Sequence, residues 1–86
     1  MKVAIIGLSP TQATTVKNEF SDSFSLTFVS SSESRIPSTV DNADNVVVMT
    51  KFVSHRAQNL VRNHPGLLFH NGGVSGLKDL LHTLEG

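Results

Sequence analysis

Cysteine, tryptophan and tyrosine are absent from this chain of 86 residues. Without cysteine, the chain cannot form a disulfide, a thiolate metal site or a cysteine nucleophile. Without tryptophan and tyrosine, any aromatic surface for stacking bases or sugars would depend on five phenylalanines and four histidines. The composition therefore excludes several classes of catalytic and metal-binding protein.

Net charge is also absent, because seven Lys and Arg residues balance seven Asp and Glu residues. A neutral chain lacks the broad basic surface that is typical of proteins that bind nucleic acid or anionic membranes, so we expect neither partner. A small local anion site remains compatible with this composition. No apolar run approaches the length that spans a bilayer, and the first one is too short for a signal peptide. These absences predict a soluble, cytoplasmic protein.

Four short apolar segments predict the strands of a β-sheet. Val3 to Leu8 and Val46 to Met49 are wholly apolar, which is typical of central strands in a parallel sheet. Phe24 to Val29 alternates apolar and polar residues, which indicates an edge strand, and Leu67 to His70 is the fourth segment. Ser30 to Asn45 must cross back to the third strand, either as a short helix capped by Ser38 or as a loop with one helical turn.

Between the predicted strands and after the last one, apolar residues recur at the spacing of one face of a helix. The three stripes are Ala13, Val16 and Phe20; then Val53, Ala57, Leu60 and Val61; and finally Val74, Leu77, Leu80, Leu81 and Leu84. Alternating strands and helices predict an α/β fold with helices on both faces of a parallel sheet. We therefore expect a single domain over residues 1–86, a small three-layer Rossmann-like (flavodoxin-like) fold with strand order 2-1-3-4.

Three of the predicted strands are followed directly by small hydroxyl, glycine, asparagine or cationic residues. If the strands are parallel, these three junctions lie on one edge of the sheet, where open α/β sheets bind their ligands. The first junction holds Ser9, Pro10, Thr11 and Gln12. This segment predicts either a helix capping box or hydroxyls that help helix N–H groups to bind an anion. Its one glycine, Gly7, falls inside the predicted strand, and no glycine-rich dinucleotide motif or P-loop is present.

The second junction contains five polar or charged residues near one helix start: Thr50, Lys51, Ser54, His55 and Arg56. Cations oppose the helix dipole there, which indicates that they serve an anionic ligand or partner, although long side chains can simply reach water. His55 could donate to a phosphate or transfer protons, or be an ordinary surface histidine. No Asp is placed to complete a triad, and the histidines lack metal-site spacing. We therefore predict no catalytic residue, metal or cofactor.

The third junction is the turn Asn71-Gly72-Gly73, followed by Ser75. Two interpretations remain open for its glycines. The turn could expose several N–H groups to an anion, or it could need glycine because a backbone φ is positive. Ser75 adds a hydroxyl and could cap the last helix.

The stretch from Ala43 to His55 resembles the small Rossmann-like domains of bacteria and phages that are known only as a domain of unknown function. Their pattern is Ala-Asp, an apolar strand, Thr, two residues, an apolar residue, then Ser-His at a helix start. Phe69 to Leu77 resembles their short strand, polar turn and Leu-rich closing helix. The first turn of those domains is often glycine-rich, whereas Ser9-Pro10 occurs here. The resemblance implies the fold and emphasises Thr50, Ser54 and His55, but it implies no reaction.

Together these patterns predict a binding module for a phosphate-bearing or nucleotide-like anionic ligand at the carboxyl ends of the strands. The residues expected to line the site are Ser9, Thr11, Thr50, Lys51, Ser54, His55, Arg56, Asn71, Gly72, Gly73 and Ser75. The alternative is a protein-interaction or inhibitor module without a small ligand, acting as a homodimer or docked on a larger protein. An enzyme is the less favoured interpretation, because nothing in the sequence orients His55.

Overall fold

A computed structural model describes residues 1–29 and 40–85 of the chain. In chain order its elements are β1 (Lys2–Ile6), α1 (Pro10–Phe20), β2 (Ser25–Val29), β3 (Asn45–Met49), α2 (His55–Leu60), β4 (Leu67–His70) and α3 (Val74–Glu85). The predicted cap at Ser38 lies outside the described residues. No helix in the described part of the chain is both long enough and apolar enough to cross a membrane.

All strand pairs are parallel and the sheet order is β2-β1-β3-β4. This confirms the predicted small Rossmann-like α/β fold. The central strands β1 and β3 are buried from Val3 to Ile6 and from Val46 to Met49, as their unbroken apolar runs predict. The outer strand β2 alternates exposed Ser25 and Thr27 with less exposed residues, as expected of an edge.

Helices on both sides of the sheet complete three layers. On one side, the α2 face, Val46 and Val48 of β3 pack with Ala57 and Val61. On the opposite side, the α1–α3 face, the side chains of Val47 and Met49 meet those of both longer helices, namely Val16, Phe20, Leu77 and Leu81. The alternation of side chains along β3 therefore divides the apolar core into two halves.

Helix α2 is shorter than its apolar stripe predicts. It covers only His55–Leu60, and Val53, Ala57 and Val61, four residues apart, make its contact with the sheet. Leu60 belongs to that stripe in the sequence but is 45% exposed. The reason is geometric: a helix of this length presents one narrow row of residues to the sheet, and Leu60 lies beside that row.

Gly7 follows β1 rather than lying inside it, which corrects the predicted strand of Val3 to Leu8. The strand ends at Ile6, and Gly7 has a φ of +108°. Side chains are strained at such a φ, whereas glycine is not. The apolar run continues through Leu8 because this half-buried side chain packs against the α1–α3 face after the strand has ended.

Candidate functional site

Parallel strands bring all three junctions to one side of the sheet. We call this side the carboxyl edge and define it by the loops after β1, β3 and β4, which are residues 7–9, 50–54 and 71–73. Every residue predicted to line a ligand site belongs to these loops or to the first turn of the helix that follows. The edge is built from three separate stretches of sequence, so its geometry depends on how the loops contact one another.

Thr50 joins the second junction to the third. Its backbone N–H donates to the carbonyl oxygen of His70 over 3.0 Å. Its hydroxyl donates to the same carbonyl over 3.2 Å and lies 3.3 Å from Oδ1 of Asn71. Thr50 and Asn71 are therefore held together by direct contact, and the Thr50 hydroxyl acts first as a structural donor.

His70, which the sequence reasoning did not select, organises the third junction. Its Nε2–H donates to the carbonyl oxygen of Gly73 over 3.1 Å. A Cβ at Gly72 would lie 3.0 Å from Nε2 of this ring, and a Cβ at Gly76 would lie 2.9 Å from its Cε1. The imidazole thus fills the space that glycines two and six residues later leave open. That spacing of one histidine before three glycines is the signal that could have found it.

The proposal of a positive φ in the third turn is wrong. Among the described glycines, only Gly7 has a positive φ. Gly72 is needed because the His70 ring passes close to its Cα, while a Cβ at Gly73 would meet nothing within 4 Å. The glycines of this turn serve close packing and exposure of the backbone rather than an unusual backbone conformation.

Ser75 does not cap the last helix, which corrects a second prediction. Helix α3 begins at Val74, and the N–H of Leu77 donates to the carbonyl oxygen of Gly73 over 3.1 Å. Gly73 therefore occupies the cap position, where glycine is tolerated almost as well as the usual polar residues. Ser75 lies inside the first turn with its side chain exposed to solvent.

Gly7 joins the first junction to the second. A Cβ at Gly7 would lie 2.7 Å from Cγ2 of Val53 and 3.3 Å from Cβ of Met49. The turn after β3 therefore occupies the space beside Gly7, at the point where the strand order reverses. A ligand at the carboxyl edge would lie over these loops rather than between the ends of β1 and β3.

Ser9 and Ser54 act as helix caps. Ser9 Oγ accepts the N–H of Gln12 over 3.3 Å, and Gln12 Oε1 accepts the N–H of Ser9 over 3.1 Å. This reciprocal pair confirms the predicted capping box. Ser54 Oγ accepts the N–H of Ala57 over 3.2 Å. Both hydroxyls use an acceptor site in capping, which leaves each of them a hydrogen to donate.

The cations of the second junction lie in solvent and have no carboxylate partner among the described residues. Lys51, His55 and Arg56 are exposed. All ion pairs of the described residues lie instead on α1 and α3, where Glu19 meets Lys78 at 3.3 Å and His82 meets Glu85 at 3.0 Å. Among residues 1–29 and 40–85, no group of three or more His, Asp or Glu side chains is arranged to hold a metal ion.

Charge is separated along the strand direction even though the chain is neutral. The loops and first helical turns of the carboxyl edge carry Lys51 and Arg56 and no acidic residue. We call the opposite side of the sheet the amino edge. There Asp22, Asp41, Asp44 and Glu85 outnumber Lys2 and Arg62. In the described residues, the side-chain charges therefore make the carboxyl edge positive and the amino edge negative.

Comparisons with protein-family models, curated protein sequences and solved structures give no match to this chain. The resemblance of Thr50 to His55 to a domain of unknown function therefore stays a prediction. Any assignment of function to the carboxyl edge must come from the chemistry of its own residues.

Proposed function

We propose that this domain is a binding module that holds a phosphate-bearing or nucleotide-like anion at its carboxyl edge. The observation that carries the proposal is the separation of charge. Among the described residues of this neutral domain, Lys51 and Arg56 have no carboxylate partner, and Asp22, Asp41, Asp44 and Glu85 lie at the amino edge. Such an arrangement raises the local concentration of an anion without making the whole surface basic.

Arg56 and Lys51 would supply the charge that neutralises the ligand. The planar guanidinium of Arg56 can donate two parallel hydrogen bonds to a phosphate, and Lys51 can follow a mobile phosphate oxygen as a point charge. Neither side chain would have to break an ion pair with another described residue before binding. The positive ends of the α1 and α3 dipoles face the same edge and add to the potential there.

Polar groups on the same edge as these cations would fix the orientation of the anion. Thr11, His55 and Ser75 have exposed side chains that can donate hydrogen bonds. The turn from Asn71 to Gly73 is held by Thr50 and His70, so its backbone is positioned before a ligand arrives. A prearranged turn loses less conformational entropy on binding than a mobile one, which favours affinity.

An apolar depression on the same edge could take the organic part of the ligand. It has a volume of about 250 Å³ and is lined by Leu8, Pro10, Ala13, Phe28 and Val29. Pro10 and Ala13 belong to the first turn of α1, which places the depression beside Thr11. An apolar surface at the same edge as the cations suits a nucleotide better than a bare phosphate, because a base gains from leaving water.

A thermal-shift series with inorganic phosphate, sulfate and mono- and dinucleotides tests the proposal. A ligand at a hundred times its dissociation constant should stabilise the protein by about 2.7 kcal/mol, which raises the melting temperature measurably. The double variant Lys51→Gln, Arg56→Gln should lose this effect. Arg62→Gln is the matched control, because Arg62 is an exposed cation that follows the same helix at the opposite edge.

Two outcomes would contradict the proposal. One is that none of these anions raises the melting temperature of the wild-type protein. The other is that Arg62→Gln weakens the effect as much as the double variant does, since this would indicate general charge attraction rather than a site at the carboxyl edge.

A further inference from the structure

The edge strand β4 exposes a large apolar side chain on the α2 face of the sheet. Phe69 is paired in register with Val48, whose side chain belongs to that face, and 56% of Phe69 is exposed. Helix α2 packs over β3 and does not extend across β4 far enough to cover this ring. In contrast, the side chains exposed on the opposite edge strand, β2, are Ser25 and Thr27.

The backbone N–H and C=O groups of Phe69 are also free of the sheet's own hydrogen bonds. The N–H groups of Val46 and Thr50 donate to the carbonyl oxygens of Gly66 and His70, so the even-numbered residues of this strand face β3. Both backbone groups of a strand residue point to the same side, and successive residues alternate. The N–H and C=O of Phe69 therefore point outward, where another strand could pair with them.

This open edge is short, at four residues, but it carries no charged side chain and no proline within the strand. Natural edge strands are commonly shielded by charged side chains, proline within the strand or a bulge. No Asp, Glu, Lys or Arg occurs between Arg62 and Lys78, a stretch that contains all of β4. In a two-fold interface the same strand of each copy faces its equivalent in the other. Two charged edges of the same sign would therefore repel each other, whereas two uncharged edges do not.

We propose that β4 pairs antiparallel with β4 of a second copy about a two-fold axis and joins two four-stranded sheets into one of eight strands. A register that keeps like faces together sets Leu67 of one copy beside Phe69 of the other and covers both apolar side chains. In this pair the N–H of Phe69 donates to the Leu67 carbonyl oxygen of the other copy, while the N–H of Leu67 keeps its own bond to the carbonyl oxygen of His64. Antiparallel pairing also sets the positive carboxyl edge of each copy beside the negative amino edge of its neighbour. The pairing therefore buries apolar side chains at the uncharged strand, and the opposite charges of the two edges attract each other at longer range.

This dimer goes beyond the proposed ligand site and does not depend on it. The strand pairing uses Leu67 to Phe69, whereas the cations of the carboxyl edge lie after β3. Loss of anion binding would leave the dimer intact, and loss of the dimer would leave Lys51 and Arg56 in place. The two proposals can therefore fail separately.

Sedimentation velocity over a wide range of protein concentration tests the pairing. Wild-type protein should sediment as a dimer, and Phe69→Lys should raise the dissociation constant of that dimer by about tenfold to a hundredfold. Phe52→Lys is the matched control. Phe52 is another exposed phenylalanine, at 46%, but it lies in the turn after β3 rather than on the open edge. It should not weaken the dimer, because the added lysine lies on the carboxyl edge, which faces the negative amino edge of the other copy.

Amide hydrogen exchange gives a readout that needs no variant. Exchange at the N–H of Phe69 should slow as the protein concentration rises, because a partner strand protects that group. The N–H of Phe28 points outward at the opposite edge of the sheet, since Ser25 and Val29 of the same strand bond to the chain around β1. Its exchange rate should not depend on concentration.

Three results would overturn the proposal. They are a wild-type protein that stays monomeric at its solubility limit, a species larger than a dimer, and equal weakening by Phe69→Lys and Phe52→Lys. Circular dichroism checks that each variant is folded. If Phe69→Lys does not fold, Phe69→Thr makes the same comparison, because a β-branched residue suits a strand while removing the ring.

Discussion

Gly7 and Val53 approach each other so closely that only glycine fits at position 7. A Cβ on Gly7 would lie 2.7 Å from Cγ2 of Val53, and the φ of Gly7 is +108°. The contact joins the loop after β1 to the loop after β3, at the point where the strand order reverses. It determines how the first two junctions of the carboxyl edge are placed relative to each other.

Gly7→Ala should therefore destabilise the domain. The added methyl group both strains the backbone and displaces Val53, and together these effects should lower the free energy of unfolding by about 2–4 kcal/mol. Urea denaturation followed by circular dichroism measures the change. Gly73→Ala is the control, because a Cβ there meets nothing within 4 Å and the φ is not positive. It should lower the free energy of unfolding by only about 0.5–1 kcal/mol, because alanine is a poorer N-cap than glycine. A Gly7→Ala protein as stable as the control would refute this account of the contact.

Ser9→Ala should weaken the start of α1. The substitution removes the oxygen that accepts the N–H of Gln12, and loss of such a cap costs about 1 kcal/mol. Ser75→Ala is the matched control: it lies within the first turn of α3, where alanine is at least as good a helix former. The difference between the two variants in urea denaturation isolates the cap. Equal stability of the two proteins would mean that the Ser9 oxygen does not stabilise the helix.

Thr50→Val should weaken anion binding although it changes no charge. Valine has nearly the same shape as threonine but cannot donate to the His70 carbonyl, and it leaves Oδ1 of Asn71 without that neighbour. The loss should destabilise the domain by about 1 kcal/mol and loosen the turn from Asn71 to Gly73. Phosphate titration followed by NMR would measure the affinity. Thr50→Ser keeps the hydroxyl and should bind like the wild type, whereas equal affinity of all three proteins would remove Thr50 from the site.

Much of the fold could be predicted because its signals are local. The apolar runs from Val3 and Val46 coincide with the buried central strands, and the alternation after Phe24 coincides with an edge strand. Ser9, Pro10 and Gln12 predicted a capping box that the structure contains. Each of these features depends on residues within a few positions of one another, so the sequence records them directly.

The candidate site could be predicted only in part. Parallel strands were enough to place Ser9, Thr50 and Gly73 on one edge of the sheet, because parallel strands end on the same side. The sequence did not indicate that His70 holds the third turn or that the glycines around it make room for its ring. Those roles depend on where the His70 side chain lies at the end of β4, and the spacing of apolar residues does not predict this position.

By itself, the sequence determined the order of elements, their parallel pairing and the burial of the central strands, since short-range apolar patterns specify which face of each element leaves water. Only the tertiary structure decided that Gly7 must accommodate Val53 and that Leu60 and Phe69 stay exposed. It also placed Lys51 and Arg56 at the edge opposite the acidic residues of the amino edge. These features depend on distances between residues remote in sequence. Such distances are fixed only when the helices pack on the sheet and bring the loops of the carboxyl edge together.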